Sequence, residues 1–163
     1  MSLDKVAGGA ANGKPSLAAL CGHGHFPSMK LGQLSEVSIY ASDLEAAEKF
    51  YRDVLGLEKI SSLDNRGVAF RCGATVLLVF DPSRTRVPDT GVPPHGANGE
   101  GHIAFVIEDS ELEPWRNRLM DRGVAIEAEV EWSGGGRSLY FRDPAGNVVE
   151  LAPPTLWRYR QED

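Results

Sequence analysis

Polar and apolar positions alternate in short runs along most of the chain. Glu36-Val37-Ser38-Ile39-Tyr40-Ala41 alternates with a period of two, as a strand with one solvated and one buried face should. Ser42-Asp43 offers N-capping side chains, and Leu44, Ala47 and Tyr51 recur at helical spacing through Leu44–Arg52. Gly56 then ends that helix. Gly67–Arg71 and Thr75–Phe80 read as strands, and Asp81-Pro82 stops them.

The same plan returns further on. His102–Ile107 reads as a strand, Leu112–Asp121 as a helix closed by Gly123, and Ser138–Arg142 and Asn147–Ala152 as strands around the turn Asp143-Pro144-Ala145-Gly146. Glu36 and His102 are 66 positions apart, as are Asp43 and Asp109 (102 − 36 = 109 − 43 = 66). Phe70-Arg71 matches Phe141-Arg142 at 71, and Val79–Pro82 matches Leu151–Pro154 at 72. Each copy is too small to bury a core alone, so two copies imply a pseudo-symmetric pair. The expected organisation is a leader at 1–30, a first module at 31–82, a linker at 83–101, a second module at 102–154 and a tail at 155–163. The stretch 82–101 holds four prolines and four glycines, which marks it as the connection between units. Residues 1–30, rich in Gly, Ala and Ser, read as a flexible leader, in part attributable to an expression vector. His23 and His25 within it read as tail residues rather than ligands.

Composition narrows the function. The chain has 163 residues and a formal charge of −6, without a Lys/Arg-rich run, so nucleic acid and anionic membrane surfaces are not expected partners. No apolar run is long enough to span a bilayer. Cys21 and Cys72 form neither a metal-type spacing nor a disulfide framework, which fits a cytoplasmic protein. Cys72 reads as inert, and Trp115, Trp132 and Trp157 as packing residues.

Two segments carry a family likeness. Phe50-Tyr51-Arg52-Asp53-Val54-Leu55-Gly56-Leu57 and Leu139-Tyr140-Phe141-Arg142-Asp143-Pro144-Ala145-Gly146-Asn147-Val148-Val149-Glu150-Leu151 resemble the two signatures of the vicinal oxygen chelate superfamily. This group includes glyoxalases, extradiol dioxygenases, fosfomycin-resistance enzymes and bleomycin-binding proteins. The resemblance spans about Leu34 to Ala152 and implies an α+β fold of two βαβββ modules, with curled mixed sheets related by a pseudo-two-fold. It further implies a homodimer acting on a small molecule at one divalent metal ion.

By that resemblance the metal ligands stand at Glu36, His102 and Glu150, while the fourth place falls on Leu78 (150 − 72 = 78). Alternation is consistent with this, because each candidate lies on the face opposite the apolar row that should meet the helix. Two carboxylates and an imidazole suit manganese, ferrous iron, nickel or zinc, and leave positions open for a chelating substrate. Leu78 departs from a four-ligand glyoxalase, and Glu36 departs from the two-histidine set of extradiol dioxygenases. The pattern is most similar to the fosfomycin-resistance enzymes. Their glycine-rich approach to the last hairpin resembles Gly134-Gly135-Gly136-Arg137, and by that likeness Ser138 and Tyr140 contact a substrate oxyanion. Arg137 and Arg71 are further candidates for an anionic substrate, and His95 reads as a surface histidine of the linker rather than one that closes over the site. The alternative is a metal-free protein that sequesters a drug, as bleomycin-binding members do; no general base is identified.

Overall fold

Each repeat folds as a strand, a helix and three more strands. The computed structural model describes residues 31–88 and 91–157. The leader and His23 and His25 lie outside the described residues. In the first module β1 (Glu36–Tyr40) leads into α1 (Leu44–Lys49), then β2 (Glu58–Leu63), β3 (Gly67–Cys72) and β4 (Thr75–Phe80). A short α2 (Pro82–Thr85) follows. The second module comprises β5 (His102–Val106), a 3₁₀ turn (Asp109–Glu111), α3 (Leu112–Asp121), β6 (Ile126–Glu131), β7 (Arg137–Arg142) and β8 (Val148–Ala152). The two mixed sheets run β1-β4-β3-β2 and β5-β8-β7-β6, and neither closes into a barrel.

The register makes the internal symmetry concrete. β1 pairs in parallel with β4, Glu36 opposite Val76 and Ser38 opposite Leu78. β5 pairs in parallel with β8, His102 opposite Val148 and Ala104 opposite Glu150. Leu78 thus occupies in the first sheet the place that Glu150 occupies in the second.

Several local features differ from the expectations. α1 does not end at Arg52: its last turn, Phe50–Val54, is π-wound, with Leu55 N–H donating to Phe50 C=O at 3.2 Å. Both Phe50 and Tyr51 are buried in that turn. Gly56 follows at φ +76°, the left-handed conformation a helix end requires. Asp81-Pro82 does more than stop β4. The Asp81 carboxylate accepts from Ser83 N–H at 2.8 Å, capping α2 with Pro82 in its first turn. β2 and β6, which were not among the expected strands, are largely solvated edge strands.

One core serves both modules. Ile39, Val68, Phe70, Leu77 and Val79 from the first sheet join Leu139, Phe141, Val149 and Leu151 from the second, with Ala47, Phe50 and Tyr51 before them and Leu112 and Leu119 of α3. The apolar faces of the two sheets therefore share the same interior, and their other faces point away from it.

A buried polar cluster ties the modules together. Asp143 accepts from Tyr51 O–H (2.9 Å), from Asn147 Nδ2 and backbone N–H (2.8 Å each) and from Ala145 N–H (2.9 Å). Asn147 also donates to Tyr40 C=O at 3.1 Å and accepts from Gly101 N–H at 2.7 Å. Burial first, then the negative Asp143 and the hydrogen bond to it, hold the Tyr51 phenol well above the ordinary tyrosine range. Because the folded-state pKa is raised, this contribution is complete below pH 10, the group's ordinary value, and is lost as pH climbs beyond it. Urea denaturation from pH 8 to 11.5 should show stability falling at the alkaline end. Tyr51→Phe should flatten that fall; an unchanged alkaline slope would show that Tyr51 does not hold its proton in this way.

Candidate metal centre

On the second sheet the face turned from the core collects His102 from β5, Glu150 from β8, and Ser138, Tyr140 and Arg142 from β7. Period-two alternation puts them there, since Leu139, Phe141, Val149 and Leu151 fill the interior side. His102 Nε2 lies 3.3 Å from Glu150 Oε2. Glu150 is only 4% exposed, and its other oxygen, Oε1, is buried without a hydrogen-bond partner. Tyr140 sits across the β7–β8 ladder from Glu150, and its ring stacks on His102 with centroids 6.4 Å apart. Burial, and then the hydrogen-bonding and charge of the Glu150 carboxylate, push the Tyr140 phenol up to about 12, with Ser138 acting weakly in the opposite direction. Tyr140 therefore keeps its proton at neutral pH and remains a hydrogen-bond donor. Ser138 is fully buried and accepts from the indole N–H of Trp132 at 2.8 Å.

Glu36 stands elsewhere. It lies on the outward face of the first sheet, beside a cleft of about 730 Å³ lined by Ser38, Tyr40, Leu63, Arg66, Leu78, Phe80 and His95 among others. Among the described residues no three of His, Cys, Asp and Glu gather where they could hold a metal. The chain thus brings His102 and Glu150 together and leaves Glu36 on a different sheet. Arg71 shares the face of Glu36 and is ion-paired to Glu58 at 3.0 Å. Arg137 falls on the helix side of β7, bound to Glu129 at 2.8 Å and facing Glu113 at 3.7 Å. Neither arginine joins His102 and Glu150.

His95, expected only as a linker histidine, is part of the first cleft. Its Nδ1 is 2.9 Å from the Tyr40 hydroxyl, and its ring meets Phe80 edge-on with centroids 5.0 Å apart. Gly67 makes room for Phe80, because a Cβ there would lie 2.6 Å from the Phe80 ring. Cys72 has its thiol pushed up by burial, which disfavours the reactive thiolate. Trp115 packs on the core and Trp132 bonds Ser138, while Trp157 is 73% exposed.

The His102–Glu150 pair fits a metal. Ligand bonds of about 2.0–2.2 Å at angles between octahedral and tetrahedral put neighbouring donor atoms roughly 2.8–3.6 Å apart, which brackets the observed 3.3 Å. The unpartnered Glu150 oxygen is a second sign, since a buried carboxylate oxygen normally finds a donor or a cation.

Comparison with known proteins identifies the family. Residues 33–151 match the profile of the Glyoxalase/Bleomycin resistance protein/Dioxygenase superfamily. The chain belongs to this superfamily. A solved structure of lactoylglutathione lyase from Agrobacterium tumefaciens is 40% identical, with a TM-score of 0.77, covering 80% of this chain and 100% of that one. The glutathione transferase FosA of Serratia marcescens is 31% identical over 122 residues, 74% of this chain and 80% of its own. FosX, a fosfomycin resistance protein from Listeria monocytogenes, is 25% identical with a TM-score of 0.60, covering 78% of this chain and 98% of that one. The glyoxalase, fosfomycin-resistance and dioxygenase members of the superfamily are metal-dependent enzymes, commonly using manganese, iron, zinc or nickel. The superfamily binds small molecules and is typically dimeric. Among the described residues, no helix is long and apolar enough to cross a membrane.

Proposed function

We propose that this member of the superfamily is a homodimeric, metal-dependent enzyme that acts on a small substrate chelating through vicinal oxygens. The observation that carries the reading is the 3.3 Å contact of His102 Nε2 with Glu150 Oε2 beside a buried, unpartnered Glu150 oxygen. Glu36 of a second copy supplies the third ligand, because the outward faces of the two sheets within one chain do not meet. A bound divalent ion acts as a Lewis acid on the substrate's oxygens. The chain's own residues do the rest. Tyr140, protonated at neutral pH, donates to an oxyanion beside the ion, and Ser138 and Trp132 fix the neighbouring wall. Leu78 leaves the first sheet without the carboxylate that its counterpart Glu150 provides, so three residues would hold the ion and a bidentate substrate could supply further oxygens.

This set supports transfer or lyase chemistry of the fosfomycin-resistance kind over a four-ligand glyoxalase. The similarity to a lactoylglutathione lyase makes hemithioacetals the first substrates to assay beside epoxide phosphonates. Protein purified without chelator should contain about one divalent ion per chain, and His102→Ala and Glu150→Ala should each lose it. Elemental analysis giving both variants the parent's metal content would overturn the metal-dependent reading and leave the drug-sequestering one in its place.

A further inference from the structure

The cleft beside Glu36 contains a cation that the metal chemistry does not use. Arg66 lines it, and its Nε is buried without a hydrogen-bond partner. Most of the described arginines are engaged. Arg52, Arg71, Arg84, Arg116, Arg137 and Arg142 are ion-paired, and Arg86 and Arg118 donate to oxygen acceptors. Among the described residues Arg66 meets no carboxylate within ion-pair distance, although Glu36 and Asp64 line the same cleft.

The backbone holds Arg66 in place. It closes a tight hairpin turn whose central residues, Asp64 and Asn65, both have positive φ (43° and 58°). Arg66 N–H donates to Leu63 C=O at 2.7 Å, and its own C=O accepts from Asp81 N–H at 2.8 Å. The backbone that carries the guanidinium is thus fixed, and Tyr40 and His95 line the same cleft. Leu63, Leu78, Phe80 and Val92 make the space between apolar.

A planar guanidinium with no carboxylate beside it is suited to a two-oxygen anion, which takes its two terminal nitrogens together, since Nε itself is buried. We propose that Arg66 is a specificity-determining residue that binds the oxyanionic group, carboxylate or phosphonate, of a substrate whose apolar middle lies over Leu78 and Phe80. This rests on the reading of Glu36 as part of the site, since it makes the cleft the approach to the metal.

The test is isothermal titration of the full chain with phenylphosphonate, phenylacetate and the neutral phenylacetamide, on EDTA-dialysed and manganese-loaded protein. Both anions should bind about tenfold or more tighter than the amide in both preparations. Arg66→Gln should abolish that preference without changing metal stoichiometry, and Arg66→Lys, with charge but no fork, should recover part of it. The relative strength of the two anions tells carboxylate from phosphonate. The proposal is overturned if the parent shows no anion preference or if Arg66→Gln retains it. It is equally overturned if Arg66→Gln shifts the chain towards monomer in sedimentation while anion affinity is unchanged, which would assign the guanidinium to an interface between copies. A parent without metal would sink the metal reading, while the metal-free titration would still decide the role of Arg66.

Discussion

Asp143→Ala should destabilise the chain by about 3–5 kcal/mol, among the largest effects of any single substitution outside the apolar core. Asp143 is 4% exposed and accepts four hydrogen bonds, one from the fully buried Tyr51 and two from Asn147. Truncation leaves those donors inside the protein without acceptors, and the loss is that of desolvated groups rather than of average hydrogen bonds. For a chain of this size the midpoint should drop by roughly 6–20 °C. Asp143→Asn keeps one acceptor oxygen and should lose about half as much. Thermal or urea denaturation checks both, and an Asp143→Ala midpoint within a few degrees of the parent would show that the cluster does not tie the modules together.

Mixing two crippled variants should restore metal binding. Glu36→Ala and Glu150→Ala each break every composite site in a homodimer. In a mixed dimer, however, the intact Glu36 of one copy meets the intact His102 and Glu150 of the other. Co-refolded at equal amounts, about half of the dimers are mixed and each carries one whole site, so roughly a quarter of parental stoichiometry should return. The expected failure of each variant alone follows from the loss of a ligand and its charge. Manganese titration followed by electron paramagnetic resonance reads the outcome. No recovery in a verified mixed dimer would mean that Glu36 does not complete the centre across copies.

Much of this was legible in the sequence, and what was not has physical reasons. The repeat offsets and alternation located six strands and both main helices, because those elements bury one face. β2 gave no such signal, since EKISSL lies mostly exposed at a sheet edge, whereas the IEAEVE of β6 alternates strictly and was legible as a strand without being assigned as one. Alternation also showed that Glu36, His102 and Glu150 leave the core side of their sheets. It could not show that the sheets share one interior, which turns these residues to separate faces, because a duplicated module packs with the same pattern in either arrangement. Asp143-Pro144-Ala145-Gly146 was readable as a turn. Its role as acceptor for Tyr51 was not, since the contact joins positions 92 apart. Arg66 was missed for a related reason: in sequence it is one more charged residue beside a turn, and only burial sets it apart.

The outer borders of the two sheets have a consequence for life at high concentration. β2 and β6 each slip register by one residue, between Lys59 and Ser61 and between Ile126 and Ala128, so that Ile60 and Glu127 stand out of the ladder. A kinked border crowded with Glu58, Lys59, Glu127, Glu129 and Glu131 is a poor template for another strand. Sheet growth from these two sides, the usual start of fibrils and insoluble clumps, is discouraged by these charges and by the break in the ladder.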